Sequence, residues 1–337
     1  MKSKTYNQTH LLIFLFIIFC LTKLTVIKHV PLINDEAYTL TISRYFSLSY
    51  FDHPPLMMWV SYSLHLLEVF QLHTFRVPFI GFGLLTSFFL YKITSKFYSK
   101  EAGTVSAILY FISPFFFFSG GLFIVPDASL NFSVAGATYI AIRLIFNKED
   151  NIYLWISLGL LLSIAFLSKY QAYLFGINLF IAFIIWRRDV LFTKNFCISL
   201  LISISGLLPV FLWNIENSFS SFNFHGNRSS LGFDLIHVIN SFSAQLFLLL
   251  PTTFFLIIIS LMKSKILITV NEKFLILLSL PIVIIFNILI IFSDNSFSHW
   301  SMVGWMLLIP FASNQLILMK SFKPQLITLK VASIFVI

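Results

Sequence analysis

Long apolar stretches separated by short polar segments dominate this sequence. A helix needs about 20 mostly apolar residues to cross the hydrocarbon core of a bilayer. By that measure the pattern predicts membrane spans at Leu11–Ile27, Val77–Thr94, Ala102–Ile124, Ala128–Phe146, Ile152–Leu167, Ala172–Trp186, Phe196–Trp213, Ile239–Met262, Phe274–Phe292 and Ser301–Met319. A further apolar run begins at Leu326 and continues to Ile337. The predicted fold class is therefore an all-α polytopic membrane protein with about 10 or 11 transmembrane helices.

Two apolar segments allow more than one interpretation. Leu11–Ile27 follows Lys2 and Lys4, as a signal peptide would, but it is long for one and no small-residue cleavage site follows. We therefore expect an uncleaved first span. Pro54–Phe70 begins with two prolines and contains His65 and Glu68. We expect it to lie along the membrane as an interfacial helix of the first outer loop.

The composition excludes a water-soluble protein. Hydrophobic residues make up 58% of the chain and charged residues only 10%, against about 25% charged residues in ordinary globular domains. The net charge of +9 is explained by topology and indicates no nucleic-acid partner, because basic residues near span ends collect in the cytoplasm. With a cytoplasmic N-terminus and Pro54–Phe70 not crossing, the outer side keeps only Lys23, Lys28, Arg44, Arg76, Lys169 and Arg228 of the 22 basic residues.

Acidic and imidazole side chains follow the opposite trend and concentrate on the predicted outer side, so chemistry is expected there. The inner loops are short and lack a glycine-rich phosphate loop, which argues against a nucleotide cofactor and a cytoplasmic sugar-nucleotide enzyme. Cys20 and Cys197 have no metal-ligand or disulfide spacing. One membrane domain, residues 1–337, is predicted, with a first outer loop at about 28–76 and a second at about 214–238.

The first outer loop contains two groups of residues suited to chemistry. Asp35 and Glu36 are adjacent carboxylates that could act as a general base or orient a sugar hydroxyl, and both are candidate catalytic residues. Asp52 and His53 could hold a phosphate or a cation. The alternative is a solvated loop in which an Asp or Asn caps a short helix and the following prolines turn the chain.

Several short motifs, taken in order, resemble the bacterial protein mannosyltransferase-like family 39. These proteins are GT-C membrane glycosyltransferases related to the aminoarabinose transferase of lipid A. The resemblance begins with Asp35-Glu36-Ala37-Tyr38 and Tyr50-Phe51-Asp52-His53-Pro54-Pro55-Leu56. It continues through Phe75-Arg76-Val77-Pro78, Val125-Pro126-Asp127-Ala128, Leu167-Ser168-Lys169-Tyr170, Leu208-Pro209-Val210-Phe211-Leu212-Trp213-Asn214, Phe224-His225-Gly226-Asn227-Arg228 and His299-Trp300.

The resemblance implies a GT-C fold and transfer of a sugar from a polyprenyl-phosphate donor to an acceptor in the envelope, either a lipid A-type glycolipid or a protein. It matches Asp35 and Asp127 to loop carboxylates of the catalytic site and His299 to a late loop histidine. It also matches Asp52-His53 to a pair facing the donor phosphate or a metal. Lys169 and Arg228 match cationic phosphate contacts.

Elementary chemistry suits these roles, because cations stabilise the negative charge that develops on a departing phosphate. We expect direct, inverting displacement in which Asp35 deprotonates the acceptor, or only positions it if the acceptor is an ionised phosphate. Alternatives remain: Lys169 could snorkel, Arg228 could pair with Glu216 or Asp234, and Asp127 could cap the helix that starts at Ala128.

A divalent metal ion is a further open possibility, with Asp52 and His299 as its candidate ligands. His53 could contribute as well, but no two of these residues share a helix-face spacing, so the sequence signal is weak.

The chain departs from the family pattern by stopping in an apolar run soon after Lys330. A truncated product, an inactive remnant and a naturally short member are all compatible with that end. A multi-span transporter or flippase is the main rival from another class, and its signature would be ionisable residues near span centres. The spans between Val77 and Met319 are nearly free of charge away from their ends, which favours an enzyme with its site on the periplasmic side of the inner membrane.

Overall fold

The computed structural model describes residues 2–68, 71–228, 232–264, 269–293 and 295–319. In these ranges every regular element is helical, which confirms the all-α prediction. The apolar run from Leu326 lies outside the described residues. The α-helices are α1 (Lys2–Val26), α2 (Asn34–Ile42), α3 (Leu56–Leu66), α4 (Leu72–Phe97), α5 (Lys100–Ile112), α6 (Pro114–Phe118), α7 (Pro126–Ile145), α8 (Ile152–Ser168), α9 (Gln171–Trp186), α10 (Lys194–Ser205), α11 (Leu208–Glu216), α12 (Ser220–Arg228), α13 (Leu235–Leu249), α14 (Pro251–Ser264), α15 (Val270–Phe292) and α16 (Met302–Leu318).

Helix length and hydropathy identify an integral membrane protein. Within the described ranges, five helical segments are long and apolar enough to cross a bilayer: Leu72–Phe97, Pro126–Ile145, Lys194–Glu216, Val270–Phe292 and Ser298–Leu318. Three shorter apolar helices accompany them, at His10–Val26, Ile152–Ser168 and Gln171–Trp186. Eight of the predicted spans therefore correspond to single helical segments, and the other two are broken.

The predicted span Ala102–Ile124 is wrong as a single helix. Helix α5 ends at Ile112, and the five-residue α6 follows before the chain turns through residues 119–125. Pro114 explains the break, since a proline lacks the amide that would continue the helix and disfavours the helical region for the residue before it. Ser113 accordingly adopts φ −68° and ψ 125°.

The predicted span Ile239–Met262 is also broken. Helices α13 and α14 meet at an angle of 95°, and Leu250 at the corner has φ 67° and ψ 130°. Pro251 again forbids helical continuation. The bend turns α13 away from the direction of α14.

The first loop contains two short helices, α2 and α3. Helix α3 has 11 residues and is about 17 Å long, too short to cross a bilayer core of about 30 Å. This agrees with the prediction that Pro54–Phe70 does not cross. Tyr50, Met57 and Met58 of this loop are buried against Phe75 and Phe79 of α4, which fixes the loop on the helix bundle.

Helices α7 and α16 form the centre of the bundle. In the most apolar 18 residues of each spanning segment, the buried share is 83% for Pro126–Ile145 (α7) and 78% for Ser298–Leu318, which contains α16. It is only 28% for Lys194–Glu216, which contains α10 and α11. Small residues let neighbouring helices approach closely. A Cβ added to Gly159 of α8 would lie 2.7 Å from the Ser199 carbonyl oxygen of α10, so those two helices pack with their backbones close together.

Candidate active site

One cavity of about 240 Å³ collects most of the predicted site residues. It lies where α2 begins, α7 begins, α8 meets α9, and α16 is about to begin; we call this end of the bundle the cavity face. Six of the eight predicted site residues line the cavity: Asp35, Asp52, His53, Asp127, Lys169 and His299. They come from distant parts of the sequence, so the fold itself brings them together.

Lys169 and Asp127 form a buried ion pair in the cavity wall. The Lys169 ammonium donates to Asp127 Oδ1 over 2.8 Å, and the side chains are only 7% and 11% exposed. Asp127 is the second residue of α7, after Pro126, which is well suited to the first helical position. Lys169 has extended backbone between α8 and α9. Lys169 therefore does not snorkel to the lipid surface, and Val125, not Asp127, occupies the N-cap of α7.

Asp52 is held at the cavity by two neighbours. The Tyr38 hydroxyl donates to Asp52 Oδ1 over 2.8 Å, and His53 Nδ1 lies 2.9 Å from Asp52 Oδ2. Burial favours the neutral acid, but the His53 and Tyr38 contacts outweigh it, so the pKa of Asp52 is lowered from its usual value. Burial, together with the Asp52 carboxylate, raises the pKa of Tyr38. Tyr38 is therefore a hydrogen-bond donor at neutral pH.

Asp35 presents an exposed carboxylate at the start of α2. Tyr38 and Thr39, one helical turn later, line the cavity beside it. The Thr39 hydroxyl donates to the Asp35 carbonyl over 2.8 Å, which fixes this turn while the Asp35 side chain stays accessible. Among the cavity carboxylates, Asp35 is the exposed one, and it can reach a bound substrate without breaking an ion pair.

Glu36, also predicted to be catalytic, is not among the residues that line the cavity. Its side chain is fully buried with that of Arg76, with Arg76 Nη2 2.6 Å from Glu36 Oε2 and Nε 2.8 Å from Oε1. The Ile124 amide also donates to Glu36 Oε1 over 3.1 Å. Arg76 donates further to the carbonyls of Ile27, Val30 and Pro31. These contacts of Glu36 tie α2 to α4 and to the segment before α7.

Helix α12 approaches the same cavity from the second loop. A hydrogen bond of 2.9 Å joins His225 Nε2 to the Asp52 carbonyl, and a 2.6 Å hydrogen bond joins Tyr170, next to Lys169, to Ser221. Arg228 ends this helix, but its side chain lies outside the described residues. The predicted phosphate contact of Arg228 therefore stays a prediction.

The chain is similar to known proteins in part of its sequence and in its fold. A family model described as dolichyl-phosphate-mannose-protein mannosyltransferase matches residues 52–213. The crystal structure of ArnT from Cupriavidus metallidurans bound to undecaprenyl phosphate superposes with a TM-score of 0.71 at 17% identity, covering 94% of this chain and 61% of that one. The chain has the GT-C fold.

The fold is also similar to that of a second structure, ArnT from the same organism in the apo state, with a TM-score of 0.63 and 14% identity. It covers 96% of this chain and 61% of that chain, so this sequence spans about three fifths of the length of the solved ArnT chains. No curated protein sequence matches the chain. The matched range 52–213 contains Asp52, His53, Asp127 and Lys169, and it begins after Asp35.

The described residues at the cavity include candidate metal ligands, but these are not clustered. Within the described ranges, no three His, Cys, Asp or Glu side chains come together as metal ligands. Both oxygens of Asp52 are already engaged by Tyr38 and His53, and the ring of His299 stacks on Phe115 with their centroids 6.2 Å apart. The predicted ligands Asp52 and His299 both line the cavity, and a metal ion bound there stays a prediction.

Several residues of the cavity wall were not predicted from the sequence. Tyr38 and Thr39 could have been found, because they lie three and four residues after Asp35 and therefore on the same helix face. Leu248 could not, since it reaches the cavity only through the bend between α13 and α14. Ser119 was hidden inside the wrongly predicted span Ala102–Ile124.

Proposed function

We propose that this chain is an inverting glycosyltransferase that moves a sugar from a polyprenyl-phosphate donor to an envelope acceptor, a lipid A-type glycolipid or a protein. The observation that carries the proposal is the convergence of six separated residues on one cavity of a GT-C fold. The superposed ArnT structure contains undecaprenyl phosphate, which supports a lipid of that class as donor.

Lys169 supplies positive charge to the donor phosphate. An ammonium group has three donor hydrogens, and one of them is directed at Asp127. The others are available to a phosphate oxygen entering the cavity. Because both side chains are largely shielded from water, the ammonium attracts the negative charge developing on the phosphate more strongly than it would in water. Asp127 keeps the ammonium directed into the cavity.

Asp35 acts on the acceptor. In a direct displacement the acceptor oxygen forms a bond to the anomeric carbon while the bond from that carbon to the phosphate oxygen breaks. The electron pair of the broken bond leaves with the polyprenyl phosphate. A hydroxyl acceptor gives its proton to Asp35, whose exposed carboxylate can receive it. A phosphate acceptor is already ionised and needs Asp35 only for positioning.

Asp52 and His53 order the first loop around the donor. His53 lines the cavity and is held next to the Asp52 carboxylate, so its imidazole can donate to a phosphate oxygen. Helix α12 contacts the same loop through His225. This brings the end of α12, and with it Arg228, into the region where a second cation could contact the phosphate.

The excess of basic residues in the loops opposite the cavity supports an extracytoplasmic site. We propose that the cavity face is periplasmic, with the N-terminus in the cytoplasm of a bacterium and the chain in its inner membrane. A reporter fused after Asn217, in the turn between α11 and α12, is expected to read as external. A cytoplasmic signal from that fusion would contradict the orientation.

Reconstitution of the chain in lipid nanodiscs tests the activity. Undecaprenyl-phosphate-linked sugars are supplied as donors with envelope lipids as acceptors, and mass spectrometry follows the acceptor mass. A gain of one sugar residue with matching release of undecaprenyl phosphate is expected. Donor binding without turnover would favour an inactive protein, and donor movement across the bilayer without turnover would favour a flippase. Either result would contradict the transferase. Comparing envelope lipids with and without the gene identifies the sugar and the acceptor.

A further inference from the structure

A second cleft opens on the cavity face between α13 and the segment before α16. Its volume is about 440 Å³, and it is lined by polar and small residues. Helix α13 contributes His237, Asn240, Ser241 and Ala244, and the facing segment contributes Asn295, Ser296, Phe297 and Ser298. The motifs that suggest a transferase include none of these residues.

The cleft and the catalytic cavity share one face of α13. Residues 237, 240, 241, 244 and 248 follow the spacing i, i+3, i+4, i+7 and i+11, which places them along one side of a helix. The first four line the cleft, and Leu248 lines the catalytic cavity. Eleven residues of helix span about 17 Å. The opposite side of α13 presents exposed apolar residues, including Leu235, Ile239 and Phe242, as expected of a helix lying at a lipid surface.

The segment before α16 also connects the cleft with the catalytic cavity. Phe297 lines the cleft and His299 lines the catalytic cavity, and their rings stack with centroids 5.5 Å apart and planes within 24°. The two spaces are therefore neighbours on both walls. A molecule lying in the cleft has one end directed at the catalytic cavity.

The chemistry of the cleft differs from that of the cavity. Among its described lining residues none carries a fixed charge, whereas the cavity contains Asp35, Asp52, Asp127 and Lys169. Amide, hydroxyl and imidazole groups donate and accept hydrogen bonds, which matches the paired donor and acceptor character of sugar hydroxyls. The Phe297 ring is 42% exposed and offers an apolar surface for the C–H face of a pyranose. The described lining residues of the cleft supply no cation to a phosphate.

We infer that this cleft, which we call the α13 cleft, is an acceptor subsite that binds an uncharged saccharide portion of the acceptor. The inference rests on the proposed transferase function and specifies its substrate. The hydroxyl-bearing sugar lies along α13, and the atom to be glycosylated extends past Phe297 to Asp35. An acceptor without a saccharide next to its reacting atom would leave the α13 cleft unused.

Binding of simple amphiphiles to the full chain in nanodiscs tests this assignment. Octyl β-glucoside supplies a neutral saccharide head and octyl phosphate an anionic head on the same chain, and saturation-transfer NMR measures the affinity of each. The variant Asn240→Leu/Ser241→Val removes hydrogen-bonding groups from the cleft. We expect it to bind octyl glucoside at least tenfold more weakly than the unmodified protein. Asn195→Leu, at a half-buried position in the first turn of α10 on the opposite face, is the matched control and should bind normally.

Two results would overturn the assignment: unchanged octyl glucoside binding in the double variant, or an equal loss of octyl phosphate binding in it. Native mass spectrometry with undecaprenyl phosphate separates this failure from failure of the proposed function. The double variant should retain that lipid. If the unmodified protein binds octyl glucoside through the cleft but does not bind undecaprenyl phosphate, the transferase proposal and the acceptor role of the cleft are both wrong.

Discussion

Lys169 and Asp127, 42 positions apart in the sequence, form a buried ion pair of 2.8 Å that joins the α8–α9 turn to the start of α7. Removing one partner leaves an uncompensated buried charge, which typically costs about 3–5 kcal/mol. We expect Lys169→Met or Asp127→Asn alone to lower the melting temperature of the detergent-purified protein clearly.

The double variant Lys169→Met/Asp127→Asn separates stability from catalysis. It removes both charges, so it should recover much of the lost stability. It should remain inactive, because the donor phosphate has lost its cation. Recovery of sugar transfer in the double variant would show that the pair serves folding only.

Asp35→Asn should abolish most sugar transfer while leaving the protein folded. A positioned general base contributes about 10² to 10⁴-fold to rate, and the Asp35 side chain is exposed, so little stability depends on it. The measurement is the rate of acceptor glycosylation with donor in excess. Glu216→Gln, an exposed carboxylate at the end of α11, is the matched control. A rate within threefold of the unmodified protein would exclude the base role.

Glu36→Gln should behave in the opposite way to Asp35→Asn. It leaves the buried Arg76 without its counter-charge, at a typical cost of about 3–5 kcal/mol. Thermal unfolding should therefore begin at a markedly lower temperature, and activity should fall in step with the folded fraction. A stable but inactive Glu36→Gln protein would support the prediction that Glu36 is catalytic.

This contrast shows what the sequence could and could not predict. Adjacent residues on a helix project about 100° apart, so Asp35 and Glu36 cannot both face the cavity. Their sequence neighbours do not indicate which of the two carboxylates does. Spans and loops were predictable because apolar length and charge are local properties. The partners of Glu36 come from 40 and 88 positions away. Lys23, which counts as an outer charge in the sequence, is buried and donates to the carbonyls of Phe117 and Gly121.

The contacts of Asp52 predict that the protein becomes less stable at strongly acidic pH. Because the pKa of Asp52 is lowered, its contribution to stability is complete above its ordinary pKa of about 3.8 and is lost as the pH falls through the lower folded-state value. Tyr38→Phe removes one hydrogen bond that lowers this pKa, so the acid unfolding midpoint should move to higher pH. Tryptophan fluorescence against pH measures it. Tyr45→Phe, at a side chain 78% exposed, should leave the midpoint in place, and an equal shift there would contradict the assignment.

Helices α8, α9 and α14 have 17, 16 and 14 residues, which gives lengths of about 26, 24 and 21 Å. Thinning of a hydrocarbon layer of about 30 Å beside such helices is one way to relieve the mismatch, at a cost of fractions of a kcal/mol per ångström. It would depress the headgroup layer around the α8–α9 turn. A lipid diffusing in that leaflet would carry its phosphate to the depth of Lys169 without having to be extracted from the membrane.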